Sequence, residues 1–573
     1  QSEHAEDDPR LGTQFKGKVL QLLEKNFSSE AALMVHRTVT TQFTVACGIQ
    51  NRLDAPCACE AVNDDQTIGF TYRLSARRGV VDHVEAGDPA SRVLSELEAA
   101  VSAGFDALCA EQSRYLADFW DSADVVIEGD DLLQRSLRLS LFHLLQSAGK
   151  DGRTNIAAKG LTGLGYEGHY FWDTEIYILP FFLYTQPEIA RKLLEYRYHI
   201  LDKARQRARQ MAHRQGALYA WRTINGEECS ANFPTGTAQY HINADIAFAI
   251  WRYYDATQDD DFMQRCGAEI LCETARLWVD VGAYIPAKGN RFCINGVTGP
   301  DEYQILVNNN AYTNLMARQN LRFACQALDR LRQSDPAAYQ ALVAKINLRE
   351  DEPAAWQKAA ENMYLPYDAE RGVILQDDTF LAKPPWDFAG TPRENYPLLL
   401  HYHPLVVMRY QVCKQADTLL AEFLLHDQFD SAQKQRDYAY YEPLTTHDSS
   451  LSGAIFGILA AELGDLEKAY RYFAETATLD LENKHGNTPA GIHAANMAGA
   501  WQGIVFGFAG MRAKDGLSFN PRLPPQWRSY AFKVRYRGHQ LAVRVTQEGA
   551  ELRLLSGEPL EIQVAGEPLQ LSV

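Results

Sequence analysis

The N-terminal part of the chain alternates apolar and polar residues in short runs. Residues 15 to 85 contain segments such as LMVHRTVTTQFTVACGI and TIGFTYRLSA, in which apolar positions tend to alternate with polar ones. A period of two is typical of half-buried β-strands, because successive side chains point to opposite faces. From about residue 89 to 120 the apolar positions recur every three or four residues. The pattern therefore predicts a β-sheet region over residues 1–87 and a helical linker over residues 88–130.

Helical periodicity dominates from residue 131 to residue 512. One of its helical runs lies near 406 to 425, and long loops rich in Gly, Pro, Asn, His and Trp separate the runs. Loops of that length in a helical domain are usually functional. After Gly516 the period returns to two in FKVRYRG, LAVRVT and LRLLSG, which predicts a small β-domain over residues 513–573. We therefore expect a mainly α chain, with a large helical domain between two β regions.

The charge balance argues against two classes of partner. The 573 residues include 56 Lys and Arg against 73 Asp and Glu, a net charge of -17, which repels nucleic acid and anionic membranes. Ten scattered cysteines, with only Cys57 and Cys59 close together, favour reduced thiols over a metal site. The N-terminal QSEHAEDDPR lacks the basic and apolar segments of a secretory signal, and no apolar run is long enough to span a membrane. We therefore expect a cytoplasmic protein.

In two loops of the helical region, carboxylates lie next to aromatic residues or directly after a proline. In GLTGLGYEGHYFWDTEIYILPFF, Trp172 and Asp173 suit a sugar, whose C–H faces stack on rings while its hydroxyls donate to carboxylates. An ordinary helix start capped by Asp173 explains the same residues. In GPDEYQILVNNNAYTN, a proline precedes Asp301 and Glu302, and a partly desolvated carboxyl there could act as a general acid. An acidic pair facing a helix dipole is the alternative, and the residues alone leave it open.

Three further segments suit a sugar or an anion. Lys414 and Gln415 in KQAD offer hydrogen bonds to sugar hydroxyls. The segment YYEPLTTHDSSLS carries a dense set of short donors before a helix: His447, Ser449 and Ser450. Such donors at a helix N-terminus form an anion cradle, whereas an ordinary cap needs only one of them. His493 in KHGNTPAGIHAANMAGAWQG lies among small residues, where a structural role is the alternative to ligand binding.

Several long segments together resemble glycoside hydrolase family 65, the inverting α-glucoside phosphorylases. They are GYEGHYFWDTEIYILPFF, WRTINGEECSANFPTGTAQYHINADIA, VTGPDEYQILVNNNAYTN, KQAD, YEPLTTHDSSLS and GIHAANMAGAWQGIVFGFAG, in this order along the chain. The resemblance implies an (α/α) six-fold barrel, with the site at one end, between an N-terminal β-sandwich and a small C-terminal β-sandwich. Family members usually carry a longer N-terminal sandwich, so residues 1–87 correspond to a partial one.

The resemblance also assigns roles to residues that match the family motifs. Glu302 matches the general acid, and Asp301 is expected to shape its turn while the asparagines tie the loop to the next helix. The residues that match sugar contacts are Trp172, Asp173, Lys414 and Gln415, with Glu442 near the acceptor site. The residues that match the phosphate cradle are Ser449, Ser450 and His493, with His447 as a neighbour.

The implied reaction explains why a second catalytic carboxylate is not needed. An inverting hydrolase uses one to activate water, whereas phosphate arrives already anionic and can be held by donors. Glu302 is expected to protonate the glycosidic oxygen of a glucose disaccharide while phosphate attacks from the other face, giving β-glucose 1-phosphate. The expected donor is kojibiose, with trehalose, nigerose or maltose as alternatives. A hydrolase on the same barrel and a non-catalytic sugar-binding protein are the other classes considered.

The implied reaction also determines which other small molecules the enzyme needs. Inorganic phosphate is a co-substrate, and the mechanism needs neither an organic cofactor nor a metal. The resemblance implies a homodimer.

Overall fold

The computed structural model describes residues 20–28, 31–39, 42, 44–50, 59–63, 68–72, 79–84, 89–230, 232–514 and 516–573. Cys57 and the segment QSEHAEDDPR lie outside these residues. The chain divides into two compact units, one within Gln14–Asp121 and the other containing Ser122–Val573.

The first unit combines antiparallel strands with helix. Its elements are β1 (Leu20–Phe27), β2 (Ala31–Thr38), β3 (Thr44–Gln50), β4 (Cys59–Asn63), β5 (Ile68–Tyr72), β6 (Gly79–Val84), α1 (Pro89–Ala103) and α2 (Phe105–Ala123). Strands β1, β2, β3 and β6 form a sheet in that order, and β4 pairs with β5. Val93 and Leu97 of α1 form a core with Leu33 and Ala46 of the sheet. A Cβ on Gly48 would lie 2.6 Å from both helix side chains, so glycine permits this close approach.

The second unit is mainly helical. Its helices are α3 (Asp131–Ser147), α4 (Leu179–Thr185), α5 (Pro187–His199), α6 (Leu201–Gln210), α7 (His241–Thr257), α8 (Asp260–Phe262), α9 (Ala268–Val281), α10 (Ala311–Ser334), α11 (Pro336–Ile346), α12 (Glu352–Glu361), α13 (Leu398–His401), α14 (Pro404–Val407), α15 (Thr418–Leu424), α16 (Ser431–Tyr441), α17 (Ser452–Glu462), α18 (Leu466–Thr478) and α19 (Ala494–Gln502). π-Helical turns lie at Thr174–Ile178, Phe233–Thr237, Met263–Gly267 and Gly503–Phe508.

Six of these helices form a closed inner ring. Going round the ring, α4 with its preceding π-helical turn packs on α7, followed by α10, α15, α17 and α19, which returns to the first. Helices α3, α5, α9, α12, α16 and α18 pack outside them. The expected (α/α) six-fold barrel is confirmed, and the chain is mainly helical.

Burial along the helices explains which ones lie inside. Helix α17 is buried without interruption from Ala454 to Ala461, whereas α18 buries a stripe that contains Ala469, Tyr472 and Phe473. A helix that is apolar on all sides belongs in a core, and an amphipathic helix covers one. The distribution of apolar residues therefore predicts that α17 lies in the inner ring and α18 in the outer one.

The connections that lead from an outer helix to the next inner helix are long, whereas the opposite end holds short connections and residues 335–351, which contain α11. The long ones cover residues 148–173, 211–240, 282–310, 362–417, 442–451 and 479–493. The helix expected over residues 406–425 is interrupted: α14 ends at Val407, residues 408–417 run as irregular chain within the fourth connection, and α15 begins at Thr418. These six connections lie at the same end of the barrel, where they can build a site.

The C-terminal residues form two small sheets. The remaining strands are β7 (Val125–Glu128), β8 (Ala283–Ile285), β9 (Arg291–Cys293), β10 (Tyr367–Asp368), β11 (Val373–Ile374), β12 (Arg512–Ala513), β13 (Leu517–Phe519), β14 (Ser529–Tyr536), β15 (His539–Thr546), β16 (Gly549–Ser556), β17 (Leu560–Val564) and β18 (Glu567–Leu571). One sheet has the order β12, β13, β17, β18, and the other has β16, β15, β14, β7. Strand β7 lies in the range expected as helical linker, but Val125 and Ile127 are buried on one face and it pairs with β14.

Candidate active site

All six long connections contribute to one cleft at the end of the barrel. The cleft has about 650 Å³ of space, including its opening to solvent. Eight residues singled out in the sequence line it: Trp172, Asp173, Glu302, Lys414, Gln415, Ser449, Ser450 and His493. Positions far apart in sequence therefore meet in one place, as the motifs predict.

Asp301 organises the loop that carries Glu302. Its side chain is fully buried and accepts hydrogen bonds from the Lys414 and Tyr303 amides at 2.8 and 3.1 Å, and from Gln376 Nε2 at 2.7 Å. Burial raises the pKa of Asp301 to about 6, although these hydrogen bonds lower it. Asp301 does not line the cleft, so its contacts hold the turn that presents Glu302.

The asparagines after this turn fasten the loop to helix α10. Asn310 Oδ1 accepts from the Thr313 amide at 2.8 Å, which caps the helix, and its Nδ2 donates to Asp417 at 3.0 Å. Asn309 Nδ2 donates to Asp378 at 2.8 Å. The amides therefore connect the acid loop to the helix and to the 362–417 connection.

Glu302 is held by donors from two directions. Lys414 Nζ lies 2.7 Å from Oε2, and Gln239 Nε2 donates to Oε1 at 3.3 Å. The neighbouring carboxyl of Asp173 is half-buried, and desolvation raises its pKa to about 7, with the charges of Glu175 and Glu302 acting in the same direction. Perturbed carboxyls in a cleft are typical of catalytic sites.

Aromatic side chains form one wall of the cleft. Trp172, Phe171, Tyr166 and Trp221 line it, and Phe171 contacts Trp221 edge to face with ring centroids 5.0 Å apart. Behind them, Glu175 accepts two hydrogen bonds of 2.7 Å from Arg197 in a fully buried pair. Rings beside carboxyls are suited to the C–H faces and hydroxyls of a sugar.

The opposite part of the cleft is rich in donors. His493 Nδ1 lies 2.7 Å from Asp480 Oδ1, its backbone amide donates to Oδ2 at 2.8 Å, and its Nε2 lies 2.9 Å from Lys159 Nζ. Burial lowers the pKa of Lys159 to about 8, although the charge of Asp480 opposes the shift. Together with Ser449 and Ser450, which line the same cleft, these groups can bind an anion.

Lys159 and Gln239 are residues that the sequence interpretation missed. Lys159 and His493 are 334 residues apart along the chain, so no local spacing links them. Gln239 belongs to the segment TAQYHINADIA, where only its position just before a helix marks it. The family motif includes Gln239, but it carries no separate chemical signal.

Two residues expected at the site lie outside the cleft lining. Glu442 Oε1 accepts from Tyr472 OH at 3.3 Å and lies 3.2 Å from Lys468 Nζ. His447 lies 2.9 Å from Ser452 Oγ and 3.0 Å from Tyr472 OH, and burial lowers its pKa to about 4. The physical reason is that residues 442–451 change direction, so their side chains do not share one face. Their expected contacts with sugar and phosphate remain predictions.

The described residues also bear on metal binding and on membrane spans. Among residues 89–230, 232–514, 516–573 and the described strands before them, no group of three or more His, Cys, Asp or Glu side chains is arranged to hold a metal ion. None of the helices described is long and apolar enough to cross a membrane.

The barrel and the carboxyls and donors in its cleft match the description of a family of carbohydrate-active enzymes. Three family descriptions match the chain: the glycosyl hydrolase family 65 central catalytic domain at residues 138–502, the N-terminal domain at 1–119 and the C-terminal domain at 511–571. The chain belongs to glycosyl hydrolase family 65.

Curated relatives define the type of enzyme. The α,α-trehalose phosphorylase of Thermoanaerobacter brockii is 50% identical over 97% of this chain and 74% of its own length. The α,α-trehalose phosphorylase of Geobacillus stearothermophilus is 50% identical over 99% of this chain and 75% of its own. A kojibiose phosphorylase of Halothermothrix orenii is 38% identical over 85% of this chain and 65% of its own. The chain is therefore an enzyme of the disaccharide phosphorylase type.

A solved structure supports the same assignment. A putative kojibiose phosphorylase from the human microbiome superposes with a TM-score of 0.87 at 28% sequence identity. The match covers 96% of this chain and 75% of that one. The order of helical barrel and flanking sheets is thus that of the family.

Proposed function

We propose that this enzyme catalyses the inverting phosphorolysis of an α-linked glucose disaccharide to β-glucose 1-phosphate and glucose. The observation that carries the proposal is the division of the cleft between a buried acid, Glu302, and a donor cluster that includes Lys159 and His493. Phosphate held by such donors can attack carbon 1 of the sugar, so no base is needed to activate it.

The proposed steps balance as follows. The Glu302 carboxyl gives its proton to the glycosidic oxygen, the C1–O bond breaks, and the second glucose leaves with that proton and the bonding electrons. A phosphate oxygen forms a new bond to C1 from the opposite face, which inverts the anomeric configuration. Lys159 donates to the remaining phosphate oxygens and offsets part of their charge, while His493, oriented by Asp480, lies beside them. Glu302 then recovers a proton from solvent.

The first disaccharide to test is α,α-trehalose. Two curated trehalose phosphorylases are 50% identical to this chain, against 38% for the kojibiose phosphorylase of Halothermothrix orenii. Kojibiose, which the sequence motifs favour, is the second candidate, supported by the kinship with the putative kojibiose phosphorylase structure. Both donors give the same two products, so only the substrate distinguishes them.

Hydrolysis is the competing reaction. Asp173 is a second carboxyl that lines the cleft, and in an inverting hydrolase it would activate water. In the proposed reaction Asp173 instead binds sugar hydroxyls, so Asp173→Asn should raise the KM for the disaccharide without making product formation independent of phosphate.

The decisive experiment uses phosphate and a panel of trehalose, kojibiose, nigerose and maltose. We expect glucose release that requires phosphate, with the β anomer of glucose 1-phosphate identified by NMR. Release of glucose without any phosphate ester would falsify the proposal. Formation of the α anomer would contradict the inverting mechanism.

The proposed reaction uses phosphate as a co-substrate and requires no organic cofactor or metal. A homodimer is carried over from the family resemblance, and sedimentation velocity of the protein tests it. A monomeric species with full activity would remove the dimer from the proposal.

A further inference from the structure

A buried chain of hydrogen bonds leads from the start of helix α7 to the acid. Gln239 Nε2 donates to Glu302 Oε1 at 3.3 Å and also to the carbonyl oxygen of Thr235. Gln239 Oε1 lies 3.0 Å from His241 Nε2, and His241 Nδ1 lies 2.7 Å from Asp245 Oδ2. Gln239 is 3% exposed, and His241 and Asp245 are 0% exposed. These groups therefore exchange hydrogen bonds away from solvent.

The orientation of the Gln239 amide follows from a neighbour that cannot change role. The Thr235 carbonyl only accepts, so the amide nitrogen must face it and the amide oxygen must face His241. Because an amide oxygen only accepts, His241 carries a hydrogen on Nε2. Its Nδ1 either donates to an Asp245 carboxylate or accepts from a protonated Asp245. In both cases the His241–Asp245 pair is neutral overall and presents the same Nε2–H to Gln239.

Packing holds the chain of hydrogen bonds in place. Tyr312 OH donates to Asp245 Oδ1 at 2.7 Å. The His241 ring meets the rings of Trp172 and Tyr312 edge to face, with centroids 4.9 and 5.5 Å apart. The Gln239 amide is thus held at its oxygen by His241 and at its nitrogen by the Thr235 carbonyl.

The two oxygens of Glu302 consequently face different kinds of donor. Oε1 meets an amide that cannot rotate, and a proton on Oε1 would point at the amide hydrogen. Oε2 meets Lys414 Nζ, which ends a flexible side chain and can turn toward a bound sugar. Oε2 can therefore carry a proton once Lys414 has turned away from it, whereas the fixed amide stays on Oε1.

We propose that Gln239, held by His241 and Asp245, is a positioning residue that keeps Oε1 of Glu302 as the accepting oxygen. Oε2 then carries the proton to the glycosidic oxygen. The amide hydrogen bond also strengthens as the carboxylate forms, because hydrogen bonds to charged groups are the stronger ones. This inference rests on the proposed function, since it needs Glu302 to be the acid.

The test compares two substrates in the variant Gln239→Glu. A disaccharide needs a proton on its leaving group, whereas in α-glucosyl fluoride the C1–F bond breaks and fluoride leaves with the electron pair unprotonated. We expect kcat for the disaccharide to fall about 10- to 100-fold, the range for losing a hydrogen bond to a charged group. Turnover of α-glucosyl fluoride with phosphate should change less than about threefold, since that step does not use the acid.

A pH profile separates positioning from a merely structural role. A second carboxyl beside Glu302 favours protonation of the pair, so the alkaline limb of kcat/KM for the disaccharide should move to higher pH in Gln239→Glu. Equal losses on both substrates with an unmoved alkaline limb would overturn the proposal. Gln239→Met, which keeps the volume but adds no carboxyl, should give the same split between substrates with a smaller shift of the alkaline limb in the same direction, because it loses only the donor to the carboxylate. Equal losses on both substrates in Gln239→Met would also overturn the proposal.

Conservative and control variants complete the experiment. Asp245→Asn can still donate to Nδ1 of a neutral His241, so it should lose less disaccharide turnover than Asp245→Leu. The control is Gln319→Glu, which makes the same amide-to-carboxyl substitution at a buried position of α10 outside the cleft lining. Its ratio of disaccharide turnover to α-glucosyl fluoride turnover should equal that of the wild type. If the wild type releases glucose without a phosphate ester, the proposed function fails. In that case the ratio of disaccharide turnover to α-glucosyl fluoride turnover, both measured as released glucose, still decides the role of Gln239.

Discussion

The two ends of the cleft use burial in opposite ways. Around Glu302, burial raises the pKa of Asp173 to about 7 and that of Asp301 to about 6, so a larger fraction of these carboxyls is protonated near neutral pH. At the other end, burial lowers the pKa of Lys159 to about 8, so a larger fraction of this amine is uncharged near neutral pH. Desolvation disfavours charge in both places, but it promotes a proton donor at one end and weakens an anion binder at the other. Removing water therefore favours the neutral form of the carboxyls beside Glu302 and disfavours the charged form of Lys159, which the charge of Asp480 partly restores.

The largest effect is expected at the acid. Glu302→Gln removes the transferable proton while keeping the shape of the side chain, so kcat for a disaccharide should fall at least about 100-fold. Steady-state kinetics with trehalose or kojibiose at saturating phosphate measure the change.

The matched control uses a substrate that needs no acid. α-Glucosyl fluoride should be turned over by Glu302→Gln much better than the disaccharide, relative to wild type. Near-normal turnover of the disaccharide by this variant would assign the acid to another residue.

The next largest effect is expected at the anion end. Lys159→Met removes a charged donor beside His493, so kcat/KM for phosphate should fall roughly 10- to 100-fold, with little change in the KM for the disaccharide. Lys358→Met, an exposed substitution on α12, is the control and should leave both constants near the wild-type values. A fall confined to the disaccharide KM would place Lys159 in the sugar site.

A smaller effect should separate the two ends by pH. Lys159 is charged below its pKa of about 8 and neutral above it, so the affinity for phosphate should decline as the pH rises through about 8. The readout is the ratio of phosphate kcat/KM between wild type and Lys159→Met across pH 6 to about 9.5, which cancels the titration of phosphate itself. A ratio that stays constant over this range would mean that Lys159 does not bind phosphate as a cation.

The smallest effect on catalysis is expected at His447, which contacts Tyr472 and Ser452 outside the cleft lining. His447 has a φ of 57°, and asparagine tolerates that left-handed conformation. His447→Asn should lower the melting temperature but change the phosphate KM less than about twofold, as for residues that do not touch a ligand. A large rise in the phosphate KM would restore His447 to the phosphate cradle and weaken the contrast between the ends.

Local sequence predicted the parts of the site whose chemistry lies within one segment. The Gly-Pro turn and its carboxyls in GPDEY mark Glu302, and the donors of THDSS mark Ser449 and Ser450. The helix expected over 406–425 was wrong over residues 408–417, because the Lys414 amide pairs with Asp301 and the Cys413 amide with the Leu444 carbonyl at 2.8 Å. Tertiary hydrogen bonds overrode a helical pattern there.

Other features depend on contacts between distant segments, and no single segment encodes them. Lys159 becomes an anion-site candidate only beside His493, and Gln239 becomes significant only beside Glu302. Strand β7 resembles the end of a linker until β14 is known as its partner. Family resemblance supplied the barrel, whereas the spatial grouping of these residues required the fold.

Strand β7 constrains the order in which the chain can finish folding. Ser529 donates to Glu128 across an interval of 401 residues, so the edge of the C-terminal sheet is made of chain that is synthesised before the barrel. During translation β7 cannot pair with β14 until the ribosome has released everything through β14. If residues 125–128 were deleted, β14 would become an open edge able to recruit a strand from another molecule. The four-residue strand therefore covers residues 529–532 of an edge that would otherwise be open.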